Sequence, residues 1–256
     1  RPITDAADPE LIWPGDAEPM NRSRASTTWA YGYVRDEVLQ EYEKRPEFQV
    51  NPEYGRVSYD TWWSTSRTCR IGRNYIRIEL KKLYEGCPPH VIAHWHRFSV
   101  AESVAKHDHA THGNRNIAAR AKDVLEAYLA VTSELAHLAN QIGLEYMQEE
   151  LGTLDSEDIS IRGCWAPEVM RPLYAVAPLA SSREGFLERA VSLFKFLELL
   201  KPAPLRIMAG GLGIPKDKIK DFGALKLLAC ICQLATISKE HGFSLSEDVD
   251  AVIPHW

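Results

Sequence analysis

Six of the nine histidines lie between His90 and His112, at His90, His94, His96, His107, His109 and His112, and Cys87 stands just ahead of them. Imidazoles and a thiol at this density can hold a transition metal, pass protons or sense pH. The tightest subset is Cys87, His90, His94 and His96, written C-P-P-H-x-x-x-H-x-H. Zinc favours thiolate and imidazole in a tetrahedral set, and local spacings this short let one turn supply several ligands. His107, His109 and His112 are the nearest residues that could complete such a set, or act as acid or base beside it. Zinc is thus the one cofactor the segment suggests; the competing expectation is histidines that face solvent or bond to backbone.

A second constellation is basic. Arg67, Arg70, Arg73, Arg77 and Lys81 recur every three or four residues, which places them on one face if the stretch is helical. Guanidinium forks match phosphate and carboxylate groups, so such a stripe suits an anionic ligand, a lipid head group, a nucleic acid or an acidic partner protein. If Tyr75 to Leu80 is a strand instead, Arg77 and Lys81 keep one face and the longer stripe is broken.

Other patterns stop short of a site. The run from His107 to His112 resembles the H-x-H-x-D-H motif of metallo-β-lactamase hydrolases, but Thr111 stands where that motif needs aspartate. His94-Trp-His96 resembles the metal-binding pair of rolling-circle nucleases, which also need a tyrosine nucleophile. Tyr128 falls on an apolar stripe, however, and Tyr146 continues it. Glu134 and His137 make a single E-x-x-H pair where a carboxylate-bridged di-iron bundle uses two. Ala209-Gly-Gly-Leu-Gly213 has neither a G-K-[S/T] ending nor a G-x-G-x-x-G pattern, and reads as an interhelical loop. Cys230 and Cys232, two apart on a helix, suit packing better than redox exchange.

The elements that would position these residues are mainly helical. From Asn116 to about Leu151, Ile117, Ala121, Val124, Tyr128, Val131, Leu135, Leu138 and Ile142 alternate in steps of four and three, predicting one long helix with Asn114 as its cap and Gly152 beyond its end. A second helix is expected from the capping box Ser181 to Glu184 up to Pro202, a third from about Lys216 to His241, and a short last one from the capping box Ser244 to Glu247. Thr27 to Glu43 reads as a helix, Pro46 to Gly55 as a loop, and the Trp62–Trp63 pair as buried packing. Tyr75 to Leu80 and Ile159 to Cys164 alternate like strands but are too few for a substantial sheet. The expected fold is all-α, an irregular multi-helix bundle around a long central helix, with α+β as second choice. Residues 1–25, with four prolines and five acids, read as an extended arm, and residues 26–256 as one helical domain with a sub-domain break near 153–180.

The 256 residues are 45% hydrophobic, enough for an ample core, and carry a net charge of −5, which argues against wholesale wrapping of nucleic acid. The charge-free stretch from Leu227 to Ser238, which includes Gln233, Thr236 and Ser238, falls short of the roughly 20 mostly apolar residues of a bilayer span. Five irregularly spaced cysteines suit a reducing intracellular compartment, cytoplasm or organelle matrix. The start at Arg1 rather than Met is read as processing or truncation upstream, which keeps a mitochondrial destination open. The function these features suggest is a non-catalytic accessory or scaffold subunit of a larger assembly, gripping other protein subunits through the arm and the basic stripe. The alternatives are a zinc or iron enzyme built on the Cys87–histidine segment, and a nucleotide- or nucleic-acid-binding module built on the arginines.

Overall fold

A computed structural model describes residues 9–177 and 182–241, with 235–241 as backbone only. The capping box that starts at Ser181 and the last helix near Ser244 lie outside the described residues. Along the chain come α1 (Arg22–Thr27), β1 (Tyr31–Arg35), a 3₁₀ turn (Asp36–Leu39) and α2 (Gln40–Glu43). Four short strands follow, β2 (Phe48–Asn51), β3 (Arg56–Tyr59), β4 (Trp63–Ser64) and β5 (Thr68–Ile71), then β6 (Tyr75–Glu79), α3 (Leu80–Gly86), α4 (Pro89–Arg97) and β7 (Ser99–Val100). The rest is helical: α5 (Glu102–His112), α6 (Ile117–Gln141), α7 (Gln148–Leu151), α8 (Ser156–Arg162), α9 (Arg171–Tyr174), α10 (Arg183–Leu197), α11 (Pro202–Gly211), α12 (Lys216–Ile219) and α13 (Ala224–His241). The chain divides into two compact units, Arg1–Asp123 with Arg171–Phe186, and Val124–Met170 with Leu187–Trp256.

The all-α expectation is overturned. The first unit holds two antiparallel sheets, one ordered β5-β6-β1-β7 and one ordered β2-β3-β4, so the fold is mixed α+β. Thr27–Glu43, expected as a helix, contains strand β1, because Tyr31, Tyr33 and Val34 fit a pleated surface better than a helical one. The expected loop from Pro46 to Gly55 contains β2. β6 does alternate, with Ile76 and Ile78 buried, whereas the other strand-like stretch, Ile159–Cys164, lies largely within α8.

Residues 9–20 also depart from the extended arm. Leu11 and Met20 bridge each other, and Trp13 and Met20 sit in the hydrophobic core with Val34, Ile76, Leu83, Tyr84, Ile92 and Trp95. The Trp13 indole N–H donates to the Tyr84 hydroxyl at 3.2 Å, and that hydroxyl donates to the Met20 carbonyl at 3.1 Å. Gly32 makes this possible: a Cβ there would stand 2.6 Å from the Trp13 ring and 2.8 Å from Leu80. Three prolines, Pro9, Pro14 and Pro19, shape a segment that a single large aromatic pins down.

α6 is shorter than expected, ending at Gln141 ahead of Gly143, and Asn116 rather than Asn114 caps it by accepting from the Ala119 amide at 3.0 Å. In the second unit its buried seam keeps Tyr128 and Leu135 of the predicted stripe but takes Leu125, Thr132 and Ala139 in place of Val124, Val131 and Leu138. Thr132 is tolerated there because its hydroxyl donates back to the Tyr128 carbonyl and accepts from Gln148. Tyr128 packs edge-on against Phe196 of α10, while α11 packs on α13 and α7. The helix expected from Lys216 onward is two helices, α12 and α13, and Arg206 donates to the Ile219 and Phe222 carbonyls where the first one ends.

Candidate functional site

The Cys87–histidine segment does not converge. Cys87, between α3 and α4, is buried in the core, and burial pushes its thiol up to about 12, away from the thiolate a metal would need. On α4 the turn of the helix sends His96 one way, to the Ile12 carbonyl at 2.8 Å and the Trp13 ring, and His90 and His94 another. His107 and His109 are exposed on α5, and His112 meets Asp108 at 3.1 Å. Among the described residues no three His, Cys, Asp or Glu side chains stand together as a metal-holding group.

The basic stripe is likewise dispersed, because the stretch is a β-hairpin. Arg70 and Arg77 lie opposite Ile76 and Cys69 respectively, which puts the two arginines on opposite faces. Arg70 is buried and paired with Asp36, while Arg77 lies over the Tyr31 ring, 4.8 Å from its centroid. Arg73 sits at the hairpin tip, where its amide donates to Asp108 of α5. Arg67 is exposed with a positive φ, and Lys81 lies within reach of Glu85 on α3. Gly72 has φ +64 at the start of the hairpin loop, a conformation that favours glycine.

What the fold does assemble in the first unit is a polar cleft between α2 and α4. Its two adjoining parts, about 460 and 180 Å³, share Glu41, Arg45, His94 and Arg97. The wider part adds Glu37 and Lys44; the narrower one adds Tyr42, Phe48, Trp63 and His90. His90, His94 and Arg97 stand four and three residues apart on α4, so one helical face delivers all three. His94 is only 8% exposed and is clasped by Tyr42 and Phe98 rings, each 5.2 Å away. Its Nε2 lies 3.0 Å from the Val38 carbonyl, which can only accept, so Nε2 carries a hydrogen. Nδ1 faces the cleft, 3.4 Å from both Glu41 Oε2 and Arg97 Nη2. Protonated, it donates to the carboxylate; unprotonated, it accepts from the guanidinium. Burial holds the neighbouring Tyr42 phenol well above its ordinary range.

Glu41 is also gripped by Arg45 at 3.1 Å. Arg97 has no carboxylate within ion-pairing distance among the described residues. The sequence reading named His90 and His94 but missed Glu41, Lys44, Arg45 and Arg97. The spacing of His90, His94 and Arg97 was a legible signal; the α2 residues carry none, since they meet α4 only through the fold.

The second unit presents a different surface. On its part of α10, Leu193, Ala190, Phe194, Leu187 and Val191 occupy one arc of about 160° at 3.6 residues per turn. All five are exposed, Val191 and Phe194 by 52% each, while Phe196 on the opposite side is buried. Near its end, Phe194 and Leu197 join Phe222, Ala224 and Leu225 in a mainly apolar cleft of about 510 Å³. No protein-family model, curated protein or solved structure matches this chain. No helix of the described residues is long and apolar enough to cross a membrane.

Proposed function

We propose that this chain is a non-catalytic accessory subunit that binds another polypeptide through the apolar face of α10. The observation that supports this reading is an amphipathic helix turned the unusual way, with contiguous Phe, Leu and Val side chains toward solvent. An apolar stripe of that width is what a helix presents to a partner's groove or to a partner helix. Within α10 Arg183, Arg189 and Lys195 face Glu184 and Glu188, and Glu198 follows directly after its end, so the helix lacks the large cationic excess that draws amphipathic helices to anionic lipid. The surfaces expected from sequence do not serve as well: Trp13 and Met20 belong to the core, and Arg70 is consumed by an internal pair.

The test is co-assembly. The expected result is that the chain elutes with a partner in native extract and that the purified pair re-forms at fixed stoichiometry. The exposed substitutions Val191→Glu and Phe194→Glu weaken that complex by about 100-fold together while leaving helicity unchanged. A double variant that binds its partner as tightly as the parent contradicts the reading.

A further inference from the structure

We infer that the cleft between α2 and α4 is a binding site for a small aromatic monocarboxylate. Charge sets the first requirement. Lys44, Arg45 and Arg97 outnumber Glu37 and Glu41 by one, so the lining carries one net positive charge with the histidines neutral. A single carboxylate balances that excess, whereas a dianionic phosphate would add repulsion from both glutamates.

Geometry supplies the second. Arg45 is occupied with Glu41, but Arg97 turns its guanidinium toward His94 Nδ1 at 3.4 Å with no carboxylate of the described residues on its fork. A carboxylate arriving there takes two parallel N–H donors from Arg97, the pairing that guanidinium geometry favours. It also lies beside the His94 ring, which accepts from Arg97 through Nδ1 and is already oriented by the Val38 carbonyl and by two aromatic neighbours, so little ordering remains to be done on binding.

Shape supplies the third. The narrower part of the cleft runs past Val91 to Phe48 and Trp63, and these two rings are themselves packed 5.8 Å apart beside Tyr42. An aromatic ring seated there joins an edge-and-face cluster that already exists. The cleft thus pairs an anion clamp with an aromatic wall, the usual division of labour in small-molecule sites.

Titration of the purified full chain with benzoate and indole-3-acetate, followed by calorimetry and by the imidazole and indole NMR resonances, tests this directly. Benzamide and inorganic phosphate are the matched probes for loss of charge and loss of ring. The expected result is saturable binding of the carboxylates that moves the His94 and Trp63 signals, with benzamide and phosphate each at least about ten-fold weaker. Arg97→Gln lowers carboxylate affinity about ten-fold or more, and Arg97→Lys restores part of it. Both changes are at an exposed position, and an unaltered thermal transition verifies the fold. Equal binding of benzamide, preferential binding of phosphate, or no saturation by about 10 mM carboxylate overturns the assignment.

Discussion

Arg70 Nη1 lies 2.9 Å from Asp36 Oδ2, and the two side chains are only 2% and 4% exposed. The pair ties β5 to the 3₁₀ turn after β1, and Arg70 Nε donates onward to the Pro52 carbonyl at 2.6 Å. Removing one partner of a buried pair strands the other in low dielectric. Arg70→Ala should therefore lower unfolding free energy by about 3 kcal/mol or more, read from the urea midpoint at neutral pH. Replacing both residues, as Asp36→Leu with Arg70→Met, should recover much of that loss.

The same pair predicts a pH dependence. Burial pushes Asp36 up to about 6 from 3.8, outweighing the opposing pull of Arg70. Because the native state keeps this proton to higher pH than the unfolded chain, its contribution to stability is full below about pH 4 and is lost as pH rises through 6. Asp36→Asn cannot ionise. Between pH 4 and pH 7 the parent should lose stability relative to this variant, by an amount on the order of 1–3 kcal/mol. A stability difference that moves the opposite way would show that the Arg70 attraction dominates.

Thiol chemistry separates the cysteines. Cys69 is exposed on β5, whereas Cys87 is buried and its thiol is held up to about 12. Iodoacetamide at pH 8 should label Cys69 in the native protein and Cys87 only after denaturation, with peptide mass spectrometry as the readout. Rapid native labelling of Cys87 would contradict its place in the core.

Trp13 anchors the segment before α1. Trp13→Ala should cost about 3–5 kcal/mol, as for other large-to-small core changes, and should expose the Leu11–Met20 turn to proteolysis. An arm hanging outside the fold would lose almost nothing on this substitution, so the denaturation midpoint decides between the two.

How much of this was legible in the chain differs by element. α6 was, because steps of three and four persist for several turns: Ala121, Tyr128 and Leu135 are buried as expected, although choosing Val124, Val131 and Leu138 over Leu125, Thr132 and Ala139 put the alternate positions one residue off. The sheets were not, because their strands run for only two to five residues and place Arg70 and Glu79 among the buried positions. A buried arginine breaks the apolar alternation that marks a strand, and its partner Asp36 is 34 residues away. Prolines made residues 9–20 look unfolded, while the information that folds them resides in a single tryptophan and a distant glycine, Gly32. The histidine cluster was conspicuous in sequence, but the helical turn of α4 scatters it. Only His90 and His94 reach the cleft, where residues of α2 with no motif of their own complete the lining.

The claim that α10 is a protein-binding face is tested most directly by placing a photo-crosslinking phenylalanine analogue at Val191, at Phe194 and, as control, at the exposed Ala127 on α6. Irradiation in cells should give one discrete adduct from positions 191 and 194 and none from 127, and the same adduct should form when the isolated partner is mixed with purified chain. Adduct yields at 191 and 194 no greater than at 127 would contradict the account.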